Sequence, residues 1–199
     1  MRRVQAAALD LFERHGFADV TVEAIAQAAG VSPATIYRNS ETKERIVLWD
    51  DYDADLLARI GQALPSPTPL AAVRDALVAA IDGVYAEDRE RILRRTQLLL
   101  DHAAIGDRAR ADQAVFAGLL GDVFAERRAF GDALARRVAA HAIAGALEAA
   151  VVAWARSSGK LRLSHWLRRA FAALALGPWP PSTSPDRNSL AHGSSRAVA

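Results

Sequence analysis

VEAIAQAAGVSPATIYRNSETK, residues 22–43, reads as two short helices joined by a tight turn. In the first, Val22, Ile25, Ala26 and Ala29 stand at i, i+3, i+4 and i+7, the spacing that gives a helix one buried face. Thr21 is placed to cap its start, and Gly30 supplies the backbone freedom that ends it. Ser32-Pro33 then restarts the helix, because serine caps it and proline fits a first turn where no amide donor is needed. The second helix has Ile36 as its main inward residue, while Thr35, Tyr37, Arg38 and Asn39 can point outward. A helix, a glycine turn and a capped short helix with polar tips form the pattern of a helix-turn-helix, which lays its second helix in the DNA major groove.

On the N-terminal side, Val4, Ala7, Ala8, Leu11 and Phe12 give one apolar face to a helix over Arg2–His15, which Gly16 stops. On the C-terminal side, a long helix is expected from about Thr42, through Ile46, Leu48, Trp49, Tyr52, Leu56, Leu57 and Ile60, to the Pro65-Ser66-Pro67 break. It belongs to both halves of the chain and is the mechanical link between them. Further helices are expected over 69–85, 88–102, 107–127, 131–157 and 161–176. The chain shows no internal repeat and no strand-like alternation, so the expected fold is all-α with about nine helices. Three segments follow: a helix-turn-helix domain over 1–47, a larger helical domain over 48–176, and a Pro- and Ser-rich tail over 177–199 expected to be flexible.

Composition bounds the function classes. At 199 residues and 51% hydrophobic content the chain can bury a sizeable core. It has no cysteine, which removes disulfides and thiolate chemistry. No stretch reaches the length of an uncharged membrane span, and the N-terminus lacks a signal-peptide core, so the expectation is a cytoplasmic protein without a membrane partner. The formal charge is +2, and the first fifty residues hold six Arg and Lys against seven Asp and Glu. Affinity for DNA must therefore come from local placement of donors and helix N-termini, not from bulk attraction. No Gly-rich phosphate loop, H-E-x-x-H or G-x-S-x-G is present, and the expectation is no enzyme, no metal and no cofactor. His141 and Glu148 are seven apart on a helix, which is not a metal-ligand spacing.

The region 131–157 is crowded with small residues, Ala135, Ala139, Ala142, Ala146, Ala149 and Ala150, beside Val138, Ile143, Leu147 and Val151. The final helix carries Leu163, Trp166, Leu167, Ala170, Phe171 and Leu174. Two such helices pairing with their copies would form a four-helix bundle across a twofold axis. The same pattern also suits two ordinary core helices.

Over roughly residues 4–47 the chain resembles the N-terminal domain of the TetR/AcrR family of transcriptional regulators. The resemblance rests on LF-x-x-x-G-F at residues 11–17, T-V-x-x-I-A-x-x-A-G-V-S at residues 21–32, T-I-Y-R at residues 35–38 and T-K-E at residues 42–44. It implies a three-helix DNA-binding head followed by a larger helical ligand-binding and dimerisation domain. The implied function is that of a ligand-responsive repressor, which binds a palindromic double-stranded operator as a homodimer through its last two helices and is released by a small-molecule effector. Matched position by position, the implied DNA-contacting residues are Thr21, Ser32, Pro33, Ala34, Thr35, Tyr37, Arg38, Asn39 and Lys43, with Lys43 as the phosphate-binding lysine. For Arg38 a solvated helix end is an equal reading. The resemblance further implies a pocket for a small, often apolar molecule, with Trp49, Tyr85, Gln97, His102, Phe116, Leu120, Phe124, His141 and Trp154 as candidate lining, although an aromatic at helical spacing also suits core packing.

Two positions depart from the family pattern. Ser40 stands where members usually carry an aromatic residue, and Asn39 where they often carry His or Tyr. Ser40 leaves a gap in the head unless neighbours fill it, and with Glu41 and Glu44 it motivates the alternative of a helical partner-binding adaptor whose DNA-binding head has decayed.

Overall fold

A computed structural model of the chain describes residues 1–40, 42–49 and 52–175, with the side chains of 84–87 outside that description. All secondary structure among the described residues is helical. Of the sequence expectations, Glu41, the side chain of Tyr85 and the tail from residue 177 lie outside the described residues.

The head forms where local signals agree. Helix α1 (Arg2–His15) buries Val4, Ala8, Leu9 and Phe12 along one face and ends at Gly16 with φ 82°. Helix α2 (Val22–Ala29) starts where the Thr21 hydroxyl accepts the Ala24 amide N–H, and Gly30, in the left-handed region at φ 63°, turns the chain out of it. Helix α3 (Pro33–Asn39) starts where the Ser32 hydroxyl accepts the Thr35 amide N–H and buries Ile36. Thr42 caps helix α4 (Lys43–Leu48) in the same way through the Arg45 amide. Each cap satisfies an amide that the first helical turn leaves without a partner, a contribution of about 1 kcal/mol apiece. Val4, Phe12, Ile25, Ile36, Ile46 and Val47 meet in one apolar cluster, which Ile105 joins from outside the head.

The larger part of the chain consists of α5 (Asp53–Ala63), α6 (Pro69–Asp101), α7 (Ala103–Glu126), α8 (Ala133–Arg156) and α9 (Leu163–Ala175). Its core is a second cluster that includes Ile60, Leu77, Leu120, Phe124, Ile143, Trp154 and Leu167. Helices α7, α8 and α9 pack in sequence, and α6 lies against α5, α7, α8 and α9.

Two helix expectations are corrected. The long helix from Thr42 to Pro65 is two helices, because Trp49 leaves the helical region at φ −52°, ψ 127°. The cause sits in α1. Gln5 is 0% exposed, and its Nε2 donates to the carbonyls of Ile46, Val47 and Trp49 at 3.0, 2.8 and 2.9 Å. Arg95 of α6 also donates to the Trp49 carbonyl, at 3.1 Å. Side-chain donors thus serve carbonyls that a continuing helix would have served with its own amides. Conversely, the two helices expected over 69–85 and 88–102 are one, α6. No proline interrupts that stretch, and Gly83 costs only about 1 kcal/mol relative to alanine, which packing along α6 outweighs.

No uncharged stretch of α8 has the length of a membrane span, since Arg136, Arg137, Glu148 and Arg156 interrupt it. Helix α8, by length and composition only, is long and apolar enough to cross a membrane. Its alanines and valines give it that hydropathy, and the fold uses them to pack α8 between α7 and α9.

A polar seam joins head and body. Arg91 of α6 donates to the Gln5 Oε1, to the Tyr52 hydroxyl and to the Asp88 carboxylate. Arg2 reaches the same carboxylate at 2.7 Å, and Arg94 pairs with Asp10 and Glu13 of α1. The Arg91 guanidinium holds the Asp88 carboxyl below the usual carboxylate range, and burial pushes the Tyr52 hydroxyl well above the usual tyrosine value.

Candidate nucleic-acid interface and adjoining cavity

Helix α3 presents most of its surface to solvent, because only Ile36 is needed to seat it. Ser32, Pro33, Ala34, Tyr37, Arg38 and Asn39 are exposed, and Thr35 is half-buried with its hydroxyl 2.9 Å from that of Ser32. Thr21, also exposed, stands at the start of α2 with its hydroxyl on the Ala24 amide. The start of α2 and the length of α3 thus carry exposed side chains, most of them polar. One bond ties α3 to α2, and another closes α3 on itself. The Tyr37 hydroxyl donates to the Glu23 carboxylate at 2.9 Å, tying α3 to the first turn of α2. That bond raises the Tyr37 hydroxyl above the usual tyrosine value, while Glu23 is held low by its own backbone amide and then by Tyr37. The Asn39 side chain donates to the Thr35 carbonyl at 2.7 Å, closing the last turn of α3.

Lys43 is placed differently from the solvent-facing residues. Its ammonium donates to the carbonyls of Phe17, Ala18 and Val20, at 2.6, 3.1 and 3.3 Å, and lies 4.5 Å from the centre of the Phe17 ring. It binds the turn between α1 and α2 to the start of α4. Three carbonyls and a ring face satisfy an ammonium well, and these bonds fix the segment that carries Thr21 while Lys43 stays half-buried.

A cavity of about 680 Å³ lies between the head and helices α5 to α9. Its wall includes the apolar Leu56, Ile92, Leu99, Phe116 and Val151 and the polar Arg95, Thr96, Arg110, Gln113 and Glu148. A mostly apolar wall that also carries donors and acceptors is what a small-molecule site needs. Of the residues proposed from sequence, Trp49 and Phe116 are on this wall. Leu120, Phe124 and Trp154 lie in the body core at 0% exposure. His102 is the extended residue between α6 and α7, with its ring 5.0 Å from that of Phe17. Gln97 is half-buried on α6 and not among the cavity lining, and His141 borders a smaller space of about 170 Å³ between α7 and α8, which shares Arg110, Gln113 and Ala144 with the cavity. Sequence reading favours bulky aromatic residues, whereas the wall is built largely from aliphatic residues and arginines. Arg95 and Thr96 of that wall belong to the polar run over 94–97, which interrupts the apolar residues Ile92, Leu93, Leu98, Leu99 and Leu100. Among the described residues no group of three or more His, Cys, Asp or Glu side chains is arranged to hold a metal ion.

A family description for the bacterial regulatory proteins of the tetR family matches residues 5–48, and one for the MftR C-terminal domain matches residues 67–178. A candidate mycofactocin biosynthesis transcriptional regulator, MftR of Mycobacterium tuberculosis, is 36% identical over 87 residues, 44% of this chain. The matched segment spans 43% of that relative's length. Among solved structures, the fatty acid degradation regulator FadR of Bacillus halodurans superposes with a TM-score of 0.61 at 22% identity, over 89% of this chain and 99% of that one. FadR of Thermus thermophilus, a repressor in complex with lauroyl-CoA, gives a TM-score of 0.57 at 22% identity, over 92% and 98% of the two chains. SmeT in complex with triclosan gives 0.57 at 14% identity, over 86% and 90%. At such identities these structures share the fold.

Proposed function

The chain belongs to the TetR family of bacterial transcriptional regulators, and from that premise we propose that it is a repressor that binds a palindromic operator as a homodimer and is released by a small molecule held in the cavity of about 680 Å³. The observation that carries the reading is the joining of two parts. A capped, exposed α3 sits on a packed head, and the cavity borders that head and the helices that hold it. The DNA-reading residues in this proposal are Thr21, Ser32, Pro33, Ala34, Thr35, Tyr37, Arg38 and Asn39. Thr21 and the α2 N-terminus approach the phosphate backbone, Pro33 and Ala34 are apolar enough to meet a thymine methyl, and the remaining polar tips read base edges or phosphates. Lys43, half-buried, supports the same surface by fixing the turn ahead of Thr21.

One short helix makes few base contacts, so a twofold dimer is needed to read a site of useful length. Leu134 and Val138 on α8 are 71% and 60% exposed, large for unpartnered apolar residues, and they support a dimer built on the last two helices. Release follows from population shift: the effector must bind the DNA-incompetent arrangement better than the competent one, since a ligand with equal affinity for both changes nothing. The packed apolar cluster of the head supports this reading over that of an adaptor with a decayed head. No catalytic role is assigned to any residue. Relatives in complex with lauroyl-CoA and triclosan make amphiphilic and hydrophobic compounds the first effectors to screen. The proposal is tested by selecting bound duplexes from random DNA with the purified full chain. Enrichment of a palindrome is expected, and absence of any enriched sequence with the dimer intact would overturn it.

A further inference from the structure

The cavity is bounded on the head side by the recognition helix itself. Asn39 and Ser40, the last residue and C-cap of α3, are on its wall together with Arg45, Leu48 and Trp49. Ser40 is 3% exposed, so its side chain is turned inward from the DNA-facing surface. Its backbone amide donates to the Ile36 carbonyl at 2.7 Å, and the neighbouring Asn39 side chain donates to the Thr35 carbonyl at 2.7 Å. These two bonds close the last turn of α3. A helix of seven residues is far below the length that sustains itself in water, so its shape depends on its caps and on Ile36. Whatever displaces Ser40 or engages Asn39 therefore acts on the turn that carries Tyr37 and Arg38.

We propose that a molecule in this cavity touches the recognition helix directly at its C-cap, and that Ser40 is the positioning residue through which occupancy loosens the last turn of α3. This rests on the reading of the cavity as an effector site, and it adds a short route to DNA release beside any movement of α5 or α6. A larger side chain at position 40 would occupy the head end of the cavity. Serine leaves that end open.

The chain has no cysteine, so Ser40→Cys, nearly isosteric, places a unique thiol at this position. We would measure its modification by methyl methanethiosulfonate in the full-length dimer, with Ala26→Cys as a head-core control at 0% exposure and off the cavity wall. The neutral apolar fluorophore N-phenyl-1-naphthylamine serves as cavity probe. The thiol of Ser40→Cys should react far faster than that of Ala26→Cys. The probe at ten times its Kd should slow the reaction at position 40 by about tenfold, by mass action. The methylthio adduct at position 40 should release duplexes recovered by selection while the dimer remains intact. Ser40→Phe should weaken probe binding relative to the natural chain. Equal, slow reaction at both thiols would overturn the proposal. So would unprotected labelling of Ser40→Cys while the probe is bound, or full retention of DNA by the adduct. A probe that does not bind the natural chain at all would instead count against the effector cavity, and labelling of the Ser40→Cys thiol would still decide whether the cavity reaches the helix.

Discussion

Replacing Gln5 by leucine removes a side chain that joins the head, the break after α4 and helix α6. The amide nitrogen carries two protons, which three carbonyls share at 2.8 to 3.0 Å, and the amide oxygen accepts from Arg91. Leucine has a similar length, so little volume is lost and the change isolates the polar contribution. Each buried carbonyl left without a donor costs about 1–3 kcal/mol, and two such bonds are lost. Arg91 keeps Tyr52 and Asp88 as partners, and the leucine side chain recovers part of the loss through apolar burial. The expected net destabilisation is about 3 kcal/mol, which at 2–4 °C per kcal/mol for a chain of this size lowers the melting midpoint by roughly 6–12 °C. Differential scanning calorimetry of the full chain at fixed concentration reads this directly. Gln62→Leu, at an exposed position on α5, is the matched control and should leave the midpoint near that of the natural chain. A Gln5→Leu midpoint indistinguishable from the control would refute the assignment of the α4–α5 break to this side chain.

Lys43→Ala should lower head stability by about 1–2 kcal/mol, since the loss is of partly exposed charged hydrogen bonds and a ring contact. Operator and random duplex should be weakened alike with the salt slope unchanged. A slope smaller by about one would return the ammonium to a phosphate. Leu134→Glu with Val138→Glu puts two carboxylates on the exposed α8 face and should shift sedimentation from dimer to monomer with helix content retained; an unshifted dimer would move the interface elsewhere. The Asp88 carboxyl is depressed, chiefly by Arg91, so its contribution to stability is present above the ordinary carboxylate value of 3.8 and is lost as pH falls through and below it. Asp88→Asn should accordingly flatten the fall in melting temperature between about pH 5 and pH 2. A variant with the same acid slope as the natural chain would assign that slope to other carboxylates.

The head is legible in the sequence because its instructions are local. Thr21, Gly30, Ser32 and Pro33 act within one turn of where they stand, and the structure uses the first three as cap, left-handed turn and cap. The break after Leu48 is not legible, because the donor that enforces it, Gln5, lies more than forty residues earlier in the chain. The fused α6 is hidden for the opposite reason: a run of charged residues resembles a boundary, yet nothing in it forbids a helix. Arg91 and Arg94 in that run face partners on α1 and not only solvent. The cavity wall is only faintly legible. Large aromatics such as Phe124 and Trp154 are drawn to the core by their area, and the void is left where smaller side chains meet. Ser40 stands out in the sequence as a missing bulky residue, and the structure places it where that missing bulk borders the cavity.

Base reading by α3 is decided by the affinity of the full chain for a palindrome recovered by selection against a scrambled duplex of the same length, by fluorescence anisotropy at one fixed physiological salt concentration. A dimeric regulator reading bases through α3 should prefer the palindrome by about 10³-fold or more. Equal affinities for the two duplexes, with the dimer intact, would exclude sequence reading by this helix.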